Sequence, residues 1–331
     1  MLFEPLKVGT LTLKNRVVLP PISDFGLCTP AGKVTLRHLE HYRAIAQGGA
    51  GLIITEACAV SQVKDPQRDP LTLWDETFLP GMAALAEVIH AGGAAAMVQL
   101  IHPGLAALPY DRIEDIPQAK IEGYAQDFVR AAGCCQKAGF DGVELHAAHG
   151  YFLNQVTELA DQNGYLCDMV REIKAYCGQD FAVAVRFGER SPERLITLAQ
   201  ALEAAGADLL DVSDGIDRRW VIPSDFPYNR KVWLAKCVRP YVSKPVIAVG
   251  RIFSGDTAES ILQDGCADLV AVGRGQLCDP EWVQKVQRGE TPNPCLQCRE
   301  CRWYEDGRLC PARQKYLENS AKTEISDCLA L

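Results

Sequence analysis

Short β-branched runs alternate with amphipathic helical stretches along most of the chain, and the alternation recurs eight times. The pattern predicts strands at Val17–Ile22, Gly51–Glu56, Ala95–Leu100, Gly142–His146, Ala182–Phe187, Leu209–Ser213, Pro245–Val249 and Leu269–Val272. Helical patterns fall between them at Leu36–Gln47, Leu79–Ala91, Ile121–Ala138, Glu193–Ala205, Arg230–Val238 and Asp256–Gln263. Many end on glycine, as at Gly48-Gly49, Gly92-Gly93, Gly139, Gly206 and Gly265, where a left-handed residue closes a helix. Strands separated by helices pair in parallel and are covered on both faces. Eight such units close a barrel, whereas open doubly wound sheets usually hold about five to seven strands. No G-x-G-x-x-G follows a candidate strand. The expected fold is therefore a (β/α)8 TIM barrel rather than a Rossmann sheet.

The 331 residues exceed the ~250 of a plain barrel. After a last helix near Asp279–Arg288, Thr291-Pro292-Asn293-Pro294 breaks the pattern. The expected organisation is a barrel over 1–290, a cysteine-rich segment over 291–313 and a polar tail over 314–331. With 34 basic and 42 acidic residues the net charge is −8, which provides no basic field for nucleic acid or anionic membranes. No apolar run approaches the ~20 residues of a membrane span, and Met1 to Lys7 has no signal-peptide character, so a cytoplasmic location is expected. Ten of the 14 cysteines are scattered (28, 58, 134, 135, 167, 177, 237, 266, 278 and 328), whereas four crowd into 295–310. In a reducing compartment such crowding points to metal before disulfides.

Active sites of these barrels lie at the C-terminal strand ends. Here those ends read Pro20-Pro21-Ile22-Ser23, Thr55-Glu56-Ala57, Gln99-Leu100-Ile101-His102, His146 to Tyr151, Arg186-Phe187, Ser213-Asp214-Gly215, Gly250-Arg251 and Gly273-Arg274. Gly250-Arg251 and Gly273-Arg274 follow strands seven and eight, where backbone N–H groups freed by glycine, with arginine as counter-charge, hold a phosphate. The plainer alternative is two arginines paired to surface carboxylates. His146 and His149 can hold a developing oxyanion and Tyr151 can supply a proton, or the histidines are simply buried and hydrogen-bonded. Gln99 suits the polar edge of a flat heterocycle and Arg186 an anion on it; otherwise both are polar filling, for instance with Arg186 paired to Glu144.

The cysteines Cys295, Cys298, Cys301 and Cys310 are spaced C-x2-C-x2-C-x8-C. A zinc ribbon separates two C-x2-C pairs by about a dozen residues or more. Successive x2 spacing closed by a later Cys-Pro is the ferredoxin pattern, in which a tight loop wraps one face of an iron–sulfur cluster. Zinc and free thiols are the alternatives.

Taken in order, several stretches resemble the old yellow enzyme family of FMN-dependent oxidoreductases. They are Leu2-Phe3-Glu4-Pro5-Leu6 with Leu13-Lys14-Asn15-Arg16-Val17, Thr55-Glu56-Ala57, Gln99 to Gly104, Gly139 to Glu144, His146 to Tyr151, Gly273-Arg274 to Asp279-Pro280, and the cysteine run. They span roughly residues 2–313. The resemblance is nearest to the iron–sulfur branch that includes 2,4-dienoyl-CoA reductase and trimethylamine dehydrogenase, without its C-terminal nucleotide-binding domains. It implies FMN across the barrel mouth, with Pro21, Ile22 and Ser23 against the isoalloxazine, Ala57 and Gln99 flanking it, and Arg186 facing the edge that becomes negative on reduction. Gly250, Arg251, Gly273 and Arg274 would hold the phosphate. His146 and His149 would bind a substrate carbonyl, Tyr151 would be the acid, and the four clustered cysteines would ligate a 4Fe–4S cluster.

Two segments depart from the family pattern. The stretch after His102 is short, and the region after Tyr151 is compressed to Phe152–Leu166, with Asn163-Gly164-Tyr165 as a remnant. A more open substrate pocket is expected. The implied function is an FMN- and 4Fe–4S-dependent ene-reductase acting on an α,β-unsaturated carbonyl compound. Its electrons would come from NAD(P)H or from a partner flavoprotein or ferredoxin through the cluster. An amine-type dehydrogenase running electrons outward and a non-catalytic zinc-bound barrel subunit are the alternatives. Partners are a small-molecule substrate and a second copy of the chain, with no nucleic acid.

Overall fold

Apolar periodicity says where helices run, and polar residues say where they begin. The Thr35 hydroxyl accepts from His38 N, Ser191 from Arg194 N, Asn229 from Lys231 N and Ser254 from Thr257 N, each capping a helix in the computed structural model of the chain. The structure describes residues 1–24, 26, 27, 29, 31–62, 70–158, 163–213 and 221–319. Cys28, Asp214, Gly215, Cys328 and the tail beyond residue 319 lie outside the described residues.

The strands are β1 (Leu6–Val8), β2 (Leu11–Leu13), β3 (Val17–Leu19), β4 (Leu52–Ala59), β5 (Leu71–Thr72), β6 (Ala95–Ile101), β7 (Gly142–Ala147), β8 (Ala182–Phe187), β9 (Leu209–Val212), β10 (Val246–Val249) and β11 (Leu269–Ala271). The helices are α1 (Leu36–Gln47), α2 (Leu79–Ala91), α3 (Gln118–Lys137), α4 (Phe152–Glu158), α5 (Asn163–Cys177), α6 (Pro192–Ala205), α7 (Arg230–Val238), α8 (Gly255–Gln263), α9 (Gly273–Cys278) and α10 (Trp282–Gln287). Eight parallel strands run in the order β3-β4-β6-β7-β8-β9-β10-β11, and β11 returns to pair with β3, which closes the expected (β/α)8 barrel.

Alternation along each strand builds two cores. Val18, Leu52, Ile54, Met97, Ala184 and Ile247 fill the barrel interior, whereas Val17, Ile53, Val98, Val143, Val183 and Val185 face the helices. The antiparallel hairpin β1–β2 adds Val8 and Leu13 to the interior cluster. The hairpin itself is unheralded in the sequence. In the compressed region after Tyr151, Phe152–Glu158 form α4 and the remnant Asn163-Gly164-Tyr165 opens α5, and Gly273 opens the short helix α9. Among the described residues no helix is long and apolar enough to cross a membrane.

Candidate active site

Parallel register sets neighbouring strand ends side by side, and the polar side chains there pair across the strands. Gln99 stands opposite Glu144, His146 opposite Arg186, and Arg186 opposite Asp211. Gln99 Nε2 donates to Glu144 Oε1 at 2.8 Å, and Arg186 Nε lies 3.4 Å from Asp211 Oδ2. Arg186 therefore pairs with Asp211, not with Glu144 as its plainer reading had it. Burial and the neighbouring Asp211 raise the Glu144 carboxyl far above the usual carboxylate range, and burial raises Asp211 as well. Two carboxyls under one guanidinium cannot both be charged cheaply, so the network holds a proton at neutral pH.

Beyond β7 the chain turns sharply through His149 (φ 64°) and Gly150 (φ 78°), two successive left-handed residues. The turn is anchored where Gly150 N donates to Asn154 Oδ1 at 2.8 Å. It gathers His146, His149 and Tyr151, with ring centroids 5.0 Å apart for the two histidines and 4.9 Å for His146 and Tyr151. Burial, with His149 and Arg186 nearby, pushes the His146 imidazole well below its ordinary range, so it is neutral. Its Nδ1 is buried and has no hydrogen-bond partner among the described residues. The two short segments brace one another. Phe152 N donates to His102 O at 3.1 Å and Leu105 N to Gln155 Oε1 at 3.1 Å, tying α4 to the turn that follows β6.

All thirteen candidate cofactor and catalytic residues outside the cysteine run line a single cavity of about 390 Å³ at the C-terminal face of the barrel. Its glycines are close-packed: a Cβ on Gly273 would stand 2.8 Å from Ile22 Cδ1, and one on Gly250 (φ 124°) 2.7 Å from Asn229 Oδ1. Arg251, the next residue, is also left-handed (φ 55°). Lys231 on α7 lines the same cavity and was not singled out in the sequence. Its position in the first turn of the helix after the sixth barrel strand places it on the active face, which is the signal that marks it. Tyr304, from the cysteine-rich segment, reaches the cavity too.

Cys295, Cys298, Cys301 and Cys310 line a second cavity of about 350 Å³, together with Cys278 from the end of α9. Cys278 was counted among the scattered cysteines, and only the fold brings it here. Arg274 lines both cavities. The segment docks on the first βα loop and the start of α1, where Asp24 Oδ2 accepts from Gly307 N at 2.8 Å and Arg37 Nη2 donates to Asp306 Oδ1 at 2.9 Å. Trp303 is buried beneath it with its ring 5.4 Å from that of His41. Among the described residues no three His, Cys, Asp or Glu side chains converge on a position for a single metal ion.

Comparison with known proteins gives matches over the barrel. The model of the NADH:flavin oxidoreductase / NADH oxidase family matches residues 1–293, a range that stops before Cys295. The NADH oxidase of Thermoanaerobacter brockii is 33% identical over 91% of this chain and 52% of its own length. The cinnamate reductase of Clostridium sporogenes is 29% identical over 91% of this chain and 55% of its own. The chain thus spans about half the length of these two relatives. The NADPH dehydrogenase of Bacillus licheniformis is 32% identical over 87% of this chain and 94% of its own. Among solved structures, the old yellow enzyme from Trypanosoma cruzi superposes with a TM-score of 0.78 at 20% identity, covering 94% of this chain and 98% of that one, which is a likeness of fold.

Proposed function

Because the chain belongs to the NADH:flavin oxidoreductase / NADH oxidase family, the old yellow enzyme family, we propose that it is an FMN-dependent reductase of C=C bonds conjugated to a carbonyl group. One observation carries the reading: His146, His149 and Tyr151 share a cavity with every residue expected to hold the flavin. Names of relatives that are reductases and NAD(P)H oxidases or dehydrogenases support it.

The residues present fit FMN. Arg251, Gly250, Gly273 and Arg274 make the phosphate end, with backbone close enough that a Cβ would intrude. Pro21, Ile22, Ser23 and Ala57 supply the walls for the ring. Gln99, whose Nε2 is committed to Glu144, keeps Oε1 to accept from a ring N–H. Arg186, backed by Asp211, would set a fixed cation against the ring edge that becomes negative on reduction. FMN held there would supply hydride chemistry to the substrate carbon. The protein's part is then to hold the carbonyl oxygen between His146 and His149 and to deliver a proton from the Tyr151 hydroxyl to the carbon next to the carbonyl.

We propose a 4Fe–4S cluster on Cys295, Cys298, Cys301 and Cys310. A zinc ribbon separates two C-x2-C pairs by about a dozen residues or more, a spacing this run lacks. A cuboidal cluster gives each thiolate its own iron, and the four thiols of the run line one cavity. NAD(P)H is the electron donor in this reading. A second route, a partner flavoprotein or ferredoxin meeting the cluster, is favoured by the exposure of Cys298 and Cys301. The test is to load the protein with FMN, reduce it with NADPH or NADH, and add an α,β-unsaturated ketone. Formation of the saturated ketone supports the proposal, and its absence with fully loaded enzyme defeats it.

A further inference from the structure

Ser213, the residue that follows β9, is fully buried, and its hydroxyl stands where three nitrogens meet. His149 Nε2 lies 3.0 Å from Ser213 Oγ, Arg186 Nη2 3.4 Å and Lys231 Nζ 3.5 Å. Arginine and lysine only donate, whereas a hydroxyl has two lone pairs and a single hydrogen. The two cations use the lone pairs. The hydrogen then points at His149 Nε2, which must present a lone pair to receive it. A protonated His149 would aim a third N–H at an oxygen with no site left, beside two existing positive charges.

We propose that Ser213 is a positioning residue that fixes His149 as the neutral tautomer with its proton on Nδ1. His146 beside His149 is itself neutral, and the carboxyls of Asp211 and Glu144 are committed to Arg186 and Gln99. His149 then donates to a substrate oxygen through Nδ1 while Nε2 stays occupied, so it polarises the carbonyl without surrendering a proton to oxygen, and the proton for carbon comes from Tyr151. The same hydroxyl joins the substrate-facing histidine to the flavin-facing arginine. The role towards substrate rests on the ene-reductase reading above, whereas the tautomer does not.

The experiment is ring-nitrogen NMR of the FMN-loaded protein labelled with 15N-histidine. The chain has six histidines, and the signals missing from His149→Gln identify this one. The expected result is an unprotonated Nε2 and a protonated Nδ1. In Ser213→Ala the Nε2-protonated form should appear, and kcat/KM for an enone should fall about tenfold. Ser213→Thr, which keeps the hydroxyl, should restore both. A protonated Nε2 in the unaltered protein, or an unchanged spectrum in Ser213→Ala, overturns the proposal. Should Ser213→Ala fail to fold, the unaltered protein decides the tautomer by itself. A correct tautomer without enone reduction would defeat the ene-reductase reading and leave this one standing.

Discussion

Arg251 donates to Gln297 Oε1 at 2.8 Å, and both residues hold left-handed backbone, at φ 55° and 50°. Such a conformation costs a non-glycine residue about 1 kcal/mol or more and persists where the surroundings impose it. Gln297 lies between Cys295 and Cys298, so one hydrogen bond ties the Gly250-Arg251 end of the barrel cavity to the cysteine loop. Arg251→Ala should weaken FMN binding by roughly 10- to 100-fold, the range for a charge-assisted contact. Gln297→Ala should weaken it only a few-fold, because it removes support and not charge. Quenching of FMN fluorescence by the apoprotein measures both, and equal affinity in Arg251→Ala would remove that residue from the phosphate site.

Tyr151 meets the neutral His146 at the cavity, which suits a proton donor better than a charged neighbour would. Tyr151→Phe should leave flavin reduction by NAD(P)H unchanged and slow the reaction of reduced enzyme with an enone by about 10²–10⁴-fold. Stopped-flow measurement of the two half-reactions separates them. Slowing of both alike would mean that the hydroxyl serves binding or folding instead.

Five thiols line the second cavity, but only four belong to the sequence run. Cys298→Ala should abolish bound iron and sulfide while FMN stays. Cys278→Ala should retain them, since Cys278 belongs to α9 and not to the loop. Metal and sulfide analysis of anaerobically purified protein is the check. Iron retained in Cys298→Ala would refute its place as a ligand.

Glu56, beside the cavity residue Ala57, is buried with Tyr42 Oη 3.4 Å and His38 Nε2 3.5 Å from Oε1. Burial pushes its carboxyl up to about 8 from an ordinary 4.5, so the folded protein keeps a proton that the unfolded chain has released. The folded state binds more protons, and stability attributable to Glu56 therefore falls as pH rises between these values. His38, held down to about 4 by burial, opposes this only below its ordinary 6.5. Between pH 6.5 and 8, denaturation of Glu56→Gln should show a stability slope less negative than that of the unaltered protein, by up to roughly 1.4 kcal/mol per pH unit. Identical slopes would mean that Glu56 is charged in the fold.

Long periodic elements were legible from sequence. Leu36–Gln47, Leu79–Ala91, Arg230–Val238 and Ala182–Phe187 stand in the structure with the bounds their patterns predict. β1, β2 and α9 have no counterpart in the sequence pattern: β1 and β2 hold three residues each, and α9 lacks a polar side-chain cap at Val272. Residues 152–166 were read against a family pattern, and their own helical character in α4 and α5 was overlooked. At the cavity, strand-end position alone brings the thirteen candidates together. Lys231 comes from a helix and Cys278 from the far end of one, so neither stands at a strand end. Ser213 was noted as a strand end, but its partners are distant in sequence and only packing supplies them.

The most direct measurement is an anaerobic titration of FMN-loaded, chemically reduced protein with 2-cyclohexen-1-one, following the flavin band and analysing the product. The account predicts stoichiometric return of oxidised flavin absorbance with one saturated ketone formed per flavin. Reduced flavin that stays reduced in excess enone, or a protein that binds no FMN, would contradict it.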